Sequence, residues 1–148
     1  MCYTMEPGAK TVQFSGRWDA EVVERLQRRS EAVGTNKSRL ALRYVDEGTR
    51  MDEHPGILFR GGPAGRRAAV VGGPDVWEIV STLKGGKASG EQAIAATAEL
   101  LELSQPQVRA AVSYYAAFPD EIDQRMERNI AESDAAEASW LRAQAALS

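Results

Sequence analysis

The stretch from Thr11 to Arg17, TVQFSGR, together with the helical run directly after it, most restricts what this chain can become. Val12 and Phe14 alternate with Gln13, Ser15 and Arg17, the period of a short exposed β-strand with one apolar and one hydrogen-bonding face. A helical pattern starts at once. Val22, Val23, Leu26 and Val33 recur near the helical period between Asp19 and Val33, and Gly34 ends the run. Asn36 or Ser38 then caps a second helix, whose stripe is Leu40, Ala41, Tyr44, Val45 and Gly48 and which is expected to end near Gly48. One strand and two short helices in about forty residues cannot bury a core alone. The economical solution is a dimer, with two strands paired antiparallel and four helices closing beneath them. The polar strand face then becomes a two-stranded ribbon of a size that enters the DNA major groove.

Gln13-Phe14-Ser15-Gly16-Arg17-Trp18, then Glu21-Val22-Val23, then Gly34-Thr35-Asn36-Lys37-Ser38 resembles the ribbon-helix-helix (Arc/MetJ-like) repressors over roughly residues 10–51. The resemblance implies that Gln13, Ser15 and Arg17 reach base edges and that amides near Asn36, Lys37 and Ser38 clamp a phosphate. The chemistry agrees independently: Gln can bond adenine bidentately, Arg can bond guanine, and a helix N-terminus offers N–H groups to an anion. Gly16 departs from the family, which places an apolar residue on that inward face. The other reading of the stretch is an ordinary edge strand with a polar face.

Charge sharpens the picture. The net charge is −3, which argues against general nucleic-acid coating. It is uneven, however. Residues 1–55 hold nine basic and nine acidic groups, 56–118 six and five, and 119–148 three and seven. No apolar run approaches the ~18 residues of a membrane span, and nothing resembles a signal peptide. Cys2 is the only cysteine, so a cytoplasmic setting is expected and no Cys-based metal site exists. Residues 1–9 lack periodicity and read as a mobile arm, with Lys10 able to touch a phosphate.

Thr49 to Gly56 reads as the linker, since His54-Pro55-Gly56 breaks a helix. The second module, residues 55–118, opens with two short apolar strands, Ile57–Arg60 and Arg67–Val71, around the loop Gly61-Gly62-Pro63-Ala64-Gly65. Pro74 or Asp75 begins a helix carrying Val76, Trp77, Ile79, Val80 and Leu83, which Gly85-Gly86 stops. Ser89 precedes Gln92 by three, and Ser104 precedes Gln107 by three, two capping boxes that head helices over about 90–101 and 105–118. That spacing is helix-turn-helix.

Gly62-Pro63, Gly65-Arg66-Arg67, Val76-Trp77-Glu78-Ile79, Gly86 to Ile94 and Gln107 to Tyr114 resemble a small bacterial family of helix-turn-helix domains frequent in VapB-like antitoxins, which partner PIN-domain ribonucleases. Arg67-Ala68-Ala69 departs from the family pattern of threonine, arginine and a branched aliphatic. Two roles are open for this module. Gln105, Gln107 and Arg109, in the first turns of its second helix, could contact DNA; alternatively the helix pair serves dimerisation or structure, as Glu99 and Glu102 nearby suggest.

Phe118-Pro119-Asp120 starts a further helix, with Asp120, Glu121 and Asp123 at its favourable end and a stripe of Ile122, Met126 and Ile130 that stops at Ala131. Residues 119–148 as a whole form an acidic C-terminal helix or tail with little apolar surface, suited either to ordering on a partner or to packing on its dimer mate. By the resemblance, Asp134, Glu137 and Arg142 would supply polar contacts to a toxin, with Trp140 and Leu141 as anchors.

Catalysis finds no support. His54 is the only histidine, no carboxylate–histidine cluster suits zinc, and no glycine-rich stretch has the spacing of a phosphate or dinucleotide loop. Trp18, Trp77, Tyr114 and Phe118 fall on apolar faces and read as core. The expected fold is mainly α with short β elements: a ribbon-helix-helix, a small β-hairpin/helix-turn-helix domain and a C-terminal helical tail. The resemblances imply a cofactor-free antitoxin of a type II toxin–antitoxin system. It would be a homodimer or higher even oligomer, bind double-stranded operator DNA and neutralise a PIN-type toxin. The alternative is a ribbon-helix-helix regulator without a toxin partner.

Overall fold

A computed structural model describes residues 8–147, so most of the expected N-terminal arm, residues 1–7, lies outside the described residues. The chain is mainly helical with one two-stranded antiparallel sheet among the described residues. It divides into two compact units, one ending at Glu53 and one beginning at His54.

Unit 1 is a helix pair, α1 (Ala20–Val33) and α2 (Lys37–Glu53). Asp19 caps α1, its Oδ1 accepting from the amides of Glu21 and Val22 at 2.9 and 3.3 Å. Gly34 ends the helix in the left-handed region at φ 73°, which only glycine adopts without penalty. The amides of Thr35 and Gly34 then reach back to the carbonyls of Ser30 and Glu31, closing the final turn. Asn36 caps α2, accepting from the Arg39 amide at 2.9 Å.

Two expectations for this unit change. Residues 9–18 form no strand, since a strand needs a ladder partner and none lies among the described residues of this chain. Helix α2 does not stop near Gly48 but runs to Glu53. Thr49 Oγ1 donates to the carbonyls of Val45 and Asp46, and Arg50 pairs with Asp46 one turn earlier at 3.1 Å, so the helix has support past the glycine. It ends only where Pro55 disfavours helical backbone at His54.

Unit 2 holds β1 (Ile57–Arg60), β2 (Arg67–Val70), α3 (Val76–Gly85), α4 (Gly90–Leu100), α5 (Gln105–Ala117) and α6 (Pro119–Ala146). The strands pair in the register Ile57 to Val70 and Arg60 to Arg67. Ile57 and Phe59 of β1 and Ala68 and Val70 of β2 share the face turned to the core, where β2 meets α3 and α5 and β1 meets α5; Ala69, on the other face, is buried too. The core is Ile57, Ala68, Val70, Val76, Ile79, Val80, Ala98, Val108, Ala111, Tyr114 and Ile122, with Phe59, Trp77, Leu103 and Phe118 among its flanking residues. Tyr114 is fully buried, as expected, whereas Trp18 of unit 1 is more than half exposed and belongs to no core.

Helix ends in unit 2 follow local chemistry. The Asp75 amide donates to Glu78 Oε2 at 3.0 Å at the head of α3. Ser104 and Gln107 form the expected reciprocal box on α5, at 2.8 and 3.3 Å. The box expected at Ser89 and Gln92 is not formed. Gly90 sits at φ 59°, outside the helical region, and Ser89 makes no side-chain bond to the first turn of α4. Between α4 and α5 the chain turns through Glu102 at φ 54°, with the Leu103 amide bonded to the Ala98 carbonyl at 2.8 Å.

Of the two forms open for the residues beyond the stripe, helix or tail, the chain takes the helix. Helix α6 continues unbroken to Ala146 because its outer half contains alanine, glutamate, glutamine, arginine and leucine but neither glycine nor proline. Its docked first turns supply the nucleus that an isolated segment would lack.

Ile79→Ala, at a fully buried site on α3, should lower stability by about 2–5 kcal/mol, read by urea unfolding. Leu100→Ala, largely exposed at the end of α4, should change it by less than about 0.5 kcal/mol.

Candidate nucleic-acid interface and partner-binding helix

Among its described residues, unit 1 buries one hydrophobic side chain completely, Leu40. Val12 and Phe14 are 89% and 87% exposed, and Trp18, Val22, Tyr44 and Val45 also face solvent. Trp18, Val22, Leu26, Ala41, Tyr44 and Val45, with Arg25 and Arg29, line an open groove of about 370 Å³. Unit 1 by itself therefore leaves its helical stripes and the segment before α1 uncovered, a large apolar exposure for so short a segment. Gln13, Ser15 and Arg17 lie on that segment with their side chains in solvent. Asn36, Lys37 and Ser38 are exposed at the head of α2. No acidic residue occupies the first turn of this helix, so the positive end of its dipole meets cations instead.

The helix-turn-helix residues are differently engaged. Gln107 accepts from the Ser104 amide and donates to the Val71 carbonyl at 3.0 Å, tying α5 to the end of the hairpin. Arg109 forks onto both oxygens of Glu91 on α4, one bond being 2.8 Å. Gln105 is exposed at the first position of α5. The bond from Arg109 holds the Glu91 carboxyl below its ordinary range and raises Arg109 itself. Two of the three residues expected to read DNA thus hold partners within the chain, Arg109 in a solvent-exposed pair, and Gln105 is exposed.

Helix α6 organises the other candidate residues. At about 100° per residue, a sector of roughly 140° holds Ile122, Met126, Ile130, Asp134, Glu137, Trp140, Leu141 and Leu147. Ile122 is buried in the unit 2 core and Met126 packs against it. Every residue from Ile130 to Leu147 is exposed, with Trp140 and Leu141 at 60% and 54%. The face that buries Ile122 and Met126 therefore continues into solvent, where Ile130, Trp140 and Leu141 alternate with Ser133, Asp134, Glu137 and Gln144. Asp134, Glu137, Trp140 and Leu141 share that face; Arg142 does not, lying about 100° beyond Leu141.

Sequence reasoning missed two polar clusters. Lys84 on α3 donates to Tyr115 Oη at 2.5 Å and to Asp123 Oδ1 at 3.2 Å, while the Tyr115 hydroxyl donates to the same carboxylate at 2.8 Å. Tyr115, and then Lys84, hold the Asp123 carboxyl low; Tyr115, and then Asp123, raise Lys84. This cluster staples α6 to α3 and α5. The second cluster centres on Asp75, which is buried and accepts from Arg67 Nε and, at 3.3 Å, from Trp77 Nε1. Neither pairing has a fixed sequence spacing that would have revealed it. Among the described residues no group of His, Cys, Asp or Glu could hold a metal ion, and no helix is long and apolar enough to cross a membrane.

Comparison of the chain with protein-family models, curated proteins and solved structures gave no match.

The Glu91–Arg109 pair gives a titration test of the helix-turn-helix. A carboxyl lowered on folding stabilises above its unfolded value, and the benefit is lost as pH falls through the folded value. Arg109→Ala should return Glu91 toward an ordinary carboxyl pKa in an NMR titration. Added duplex DNA should leave Glu91 low in the unmodified protein, because Arg109 stays on its partner.

Proposed function

We propose that this protein is a DNA-binding antitoxin. In this reading unit 1 forms a ribbon-helix-helix dimer that represses its own operon, and the outer half of α6 neutralises a toxin. The observation that carries the first half is the uncovered apolar surface of unit 1. A second copy would cover the groove and offer Val12 and Phe14 a pleated partner, turning Gln13, Ser15 and Arg17 outward as a ribbon. Light scattering at micromolar concentration should return a dimer that persists on dilution as long as unit 1 stays folded.

Readout tests the reading directly. Arg17→Ala should cost about 1–3 kcal/mol at the specific operator and relax preference at its base. Lys37→Ala should weaken all duplexes alike and lower the salt slope by about one. Footprints left unchanged when Gln13, Ser15 and Arg17 all become alanine would sink the ribbon as reader.

The exposed face of α6 supports the second half of the proposal. A regulator without a toxin would use this face for self-association. Charge speaks against that, because residues 119–148 carry seven acidic groups against three basic, so two copies side by side repel. The same excess suits a cation-rich protein surface such as the RNA channel expected of a PIN-type ribonuclease. Cutting the chain after Asn129 should leave operator binding nearly intact and abolish neutralisation of a toxin encoded beside this gene. Trp140→Ala should reproduce much of that loss, since burying an indole at an interface commonly contributes ~2 kcal/mol or more. A truncated chain that still silences its neighbour would make this half of α6 structural.

A further inference from the structure

Helix α6 is anchored to unit 2 by its first two turns. Ile122 sits in the core with Met126 beside it, whereas every residue from Ile130 to Leu147 is exposed. On the helical wheel Glu121 and Asp123 stand about 100° to either side of Ile122, and Arg125 about 60° round on the Glu121 side. The two flanks are held differently. On one, Glu121 accepts from the Tyr114 hydroxyl at 2.6 Å, and Arg125 lies over the Trp77 ring at 6.0 Å. On the other, Asp123 accepts from Lys84 at 3.2 Å and from Tyr115 at 2.8 Å. The side chains of Lys84 and Asp123 are 47% and 42% exposed, so this flank is closed by a cluster open to solvent.

The flanks also meet α3 at its opposite ends. Trp77 stands in the first turn of α3 and Lys84 in its last, about 10 Å apart, while Asp123 and Arg125 lie within one turn of each other on α6. Helix α6 therefore crosses α3, and the crossing angle depends on what holds each end. With the Asp123 cluster open, Ile122 becomes a pivot restrained on one flank. Trp140 lies about 25 Å along the axis from Asp123, so a tilt of about 10° would displace it by about 4 Å. The groups that act on Lys84 and Asp123 are Tyr115 and each other, with no further charged group contributing.

We propose that Lys84, Tyr115 and Asp123 are positioning residues for the partner-binding face of α6. They set the tilt at which the exposed part of the helix leaves unit 2, and with it the place where Trp140 and Leu141 meet a partner. The inference rests on the reading of α6 given above and adds determinants of affinity about 25 Å from the anchors themselves. A face held in its binding orientation is ordered before contact. A helix spread over several tilts binds with an affinity reduced by the fraction that is competent. Ile122 and the Tyr114–Glu121 bond remain when the cluster opens, so its loss alters direction and leaves the core in place. An ion pair this exposed contributes little to folding.

The test uses the full-length chain with Cys2→Ser, and with Ala96→Cys on α4 and Ser139→Cys on α6 to carry spin labels. Both labelled positions are exposed, and Ser139 lies off the partner-binding face. Labelled chain diluted into unlabelled chain gives the distance distribution within one molecule by pulsed electron resonance. Calorimetry measures affinity for the purified protein encoded beside this gene, and circular dichroism checks each fold. Lys84→Met and Tyr115→Phe should each broaden the distribution and weaken that affinity roughly two- to five-fold, with the fold intact. Lys84→Arg, which keeps the charge, should preserve both. An unchanged distribution in Lys84→Met and Tyr115→Phe overturns the positioning role while the reading of α6 stands. A broader distribution with unchanged affinity overturns it as well, because tilt then has no bearing on contact. If the neighbouring protein does not bind the full chain, or binds it equally after cutting at Asn129, the reading of α6 fails and this inference fails with it.

Discussion

A buried hydroxyl governs the architecture of unit 2. Tyr114 is fully enclosed, yet its oxygen needs a partner, and leaving it without one would cost about 1–3 kcal/mol. The partner is Glu121 at 2.6 Å, a residue that can reach inward only if the chain turns at Phe118-Pro119 and starts a helix immediately. The ring completes the constraint. His54 and Phe59 meet it edge-on, and Phe118 lies tilted against it at 4.8 Å. The first turn of the unit, the hairpin, α5 and the origin of α6 are therefore set around one side chain. Among its described residues, unit 1 has no counterpart to this tyrosine.

Local end signals and the final structure agree in both units: Gly34 ends α1, Gly86 ends α3, and Ser104 with Gln107 opens α5. Signals also sufficed for the hairpin, because two short apolar runs flank a glycine-rich loop. The strand expected at residues 11–17 is not formed, since no ladder partner for it lies among the described residues. The end of α2 differs from expectation for a smaller reason: Gly48 weakens a helix by only about 1 kcal/mol, too little to end it, whereas Pro55 disfavours helical backbone before it.

Candidate site residues were legible by type but not by use. Glutamine and arginine early in α5 look like base readers in sequence, and only the fold shows that Val71 and Glu91 occupy two of them. The reverse holds at the hairpin. Arg60 and Arg67 stand seven residues apart in sequence, and their meeting on Asp75 needs the strand register. Tyr115, Lys84 and Asp123 come together from three helices, which no linear spacing encodes.

The unbroken course of α6 has a consequence of its own. Its 28 residues extend about 42 Å, and the outer portion is a shaft that is already helical before anything touches it. Trp140 and Leu141 are therefore aimed by angle as well as by position. One residue inserted into the shaft would advance them by only about 1.5 Å but swing them through about 100°, whereas seven would nearly restore their heading at a longer reach. A flexible tether would answer to length alone. This shaft answers to phase, so the direction of a surface far from the core is written into the residue count between Asn129 and Trp140.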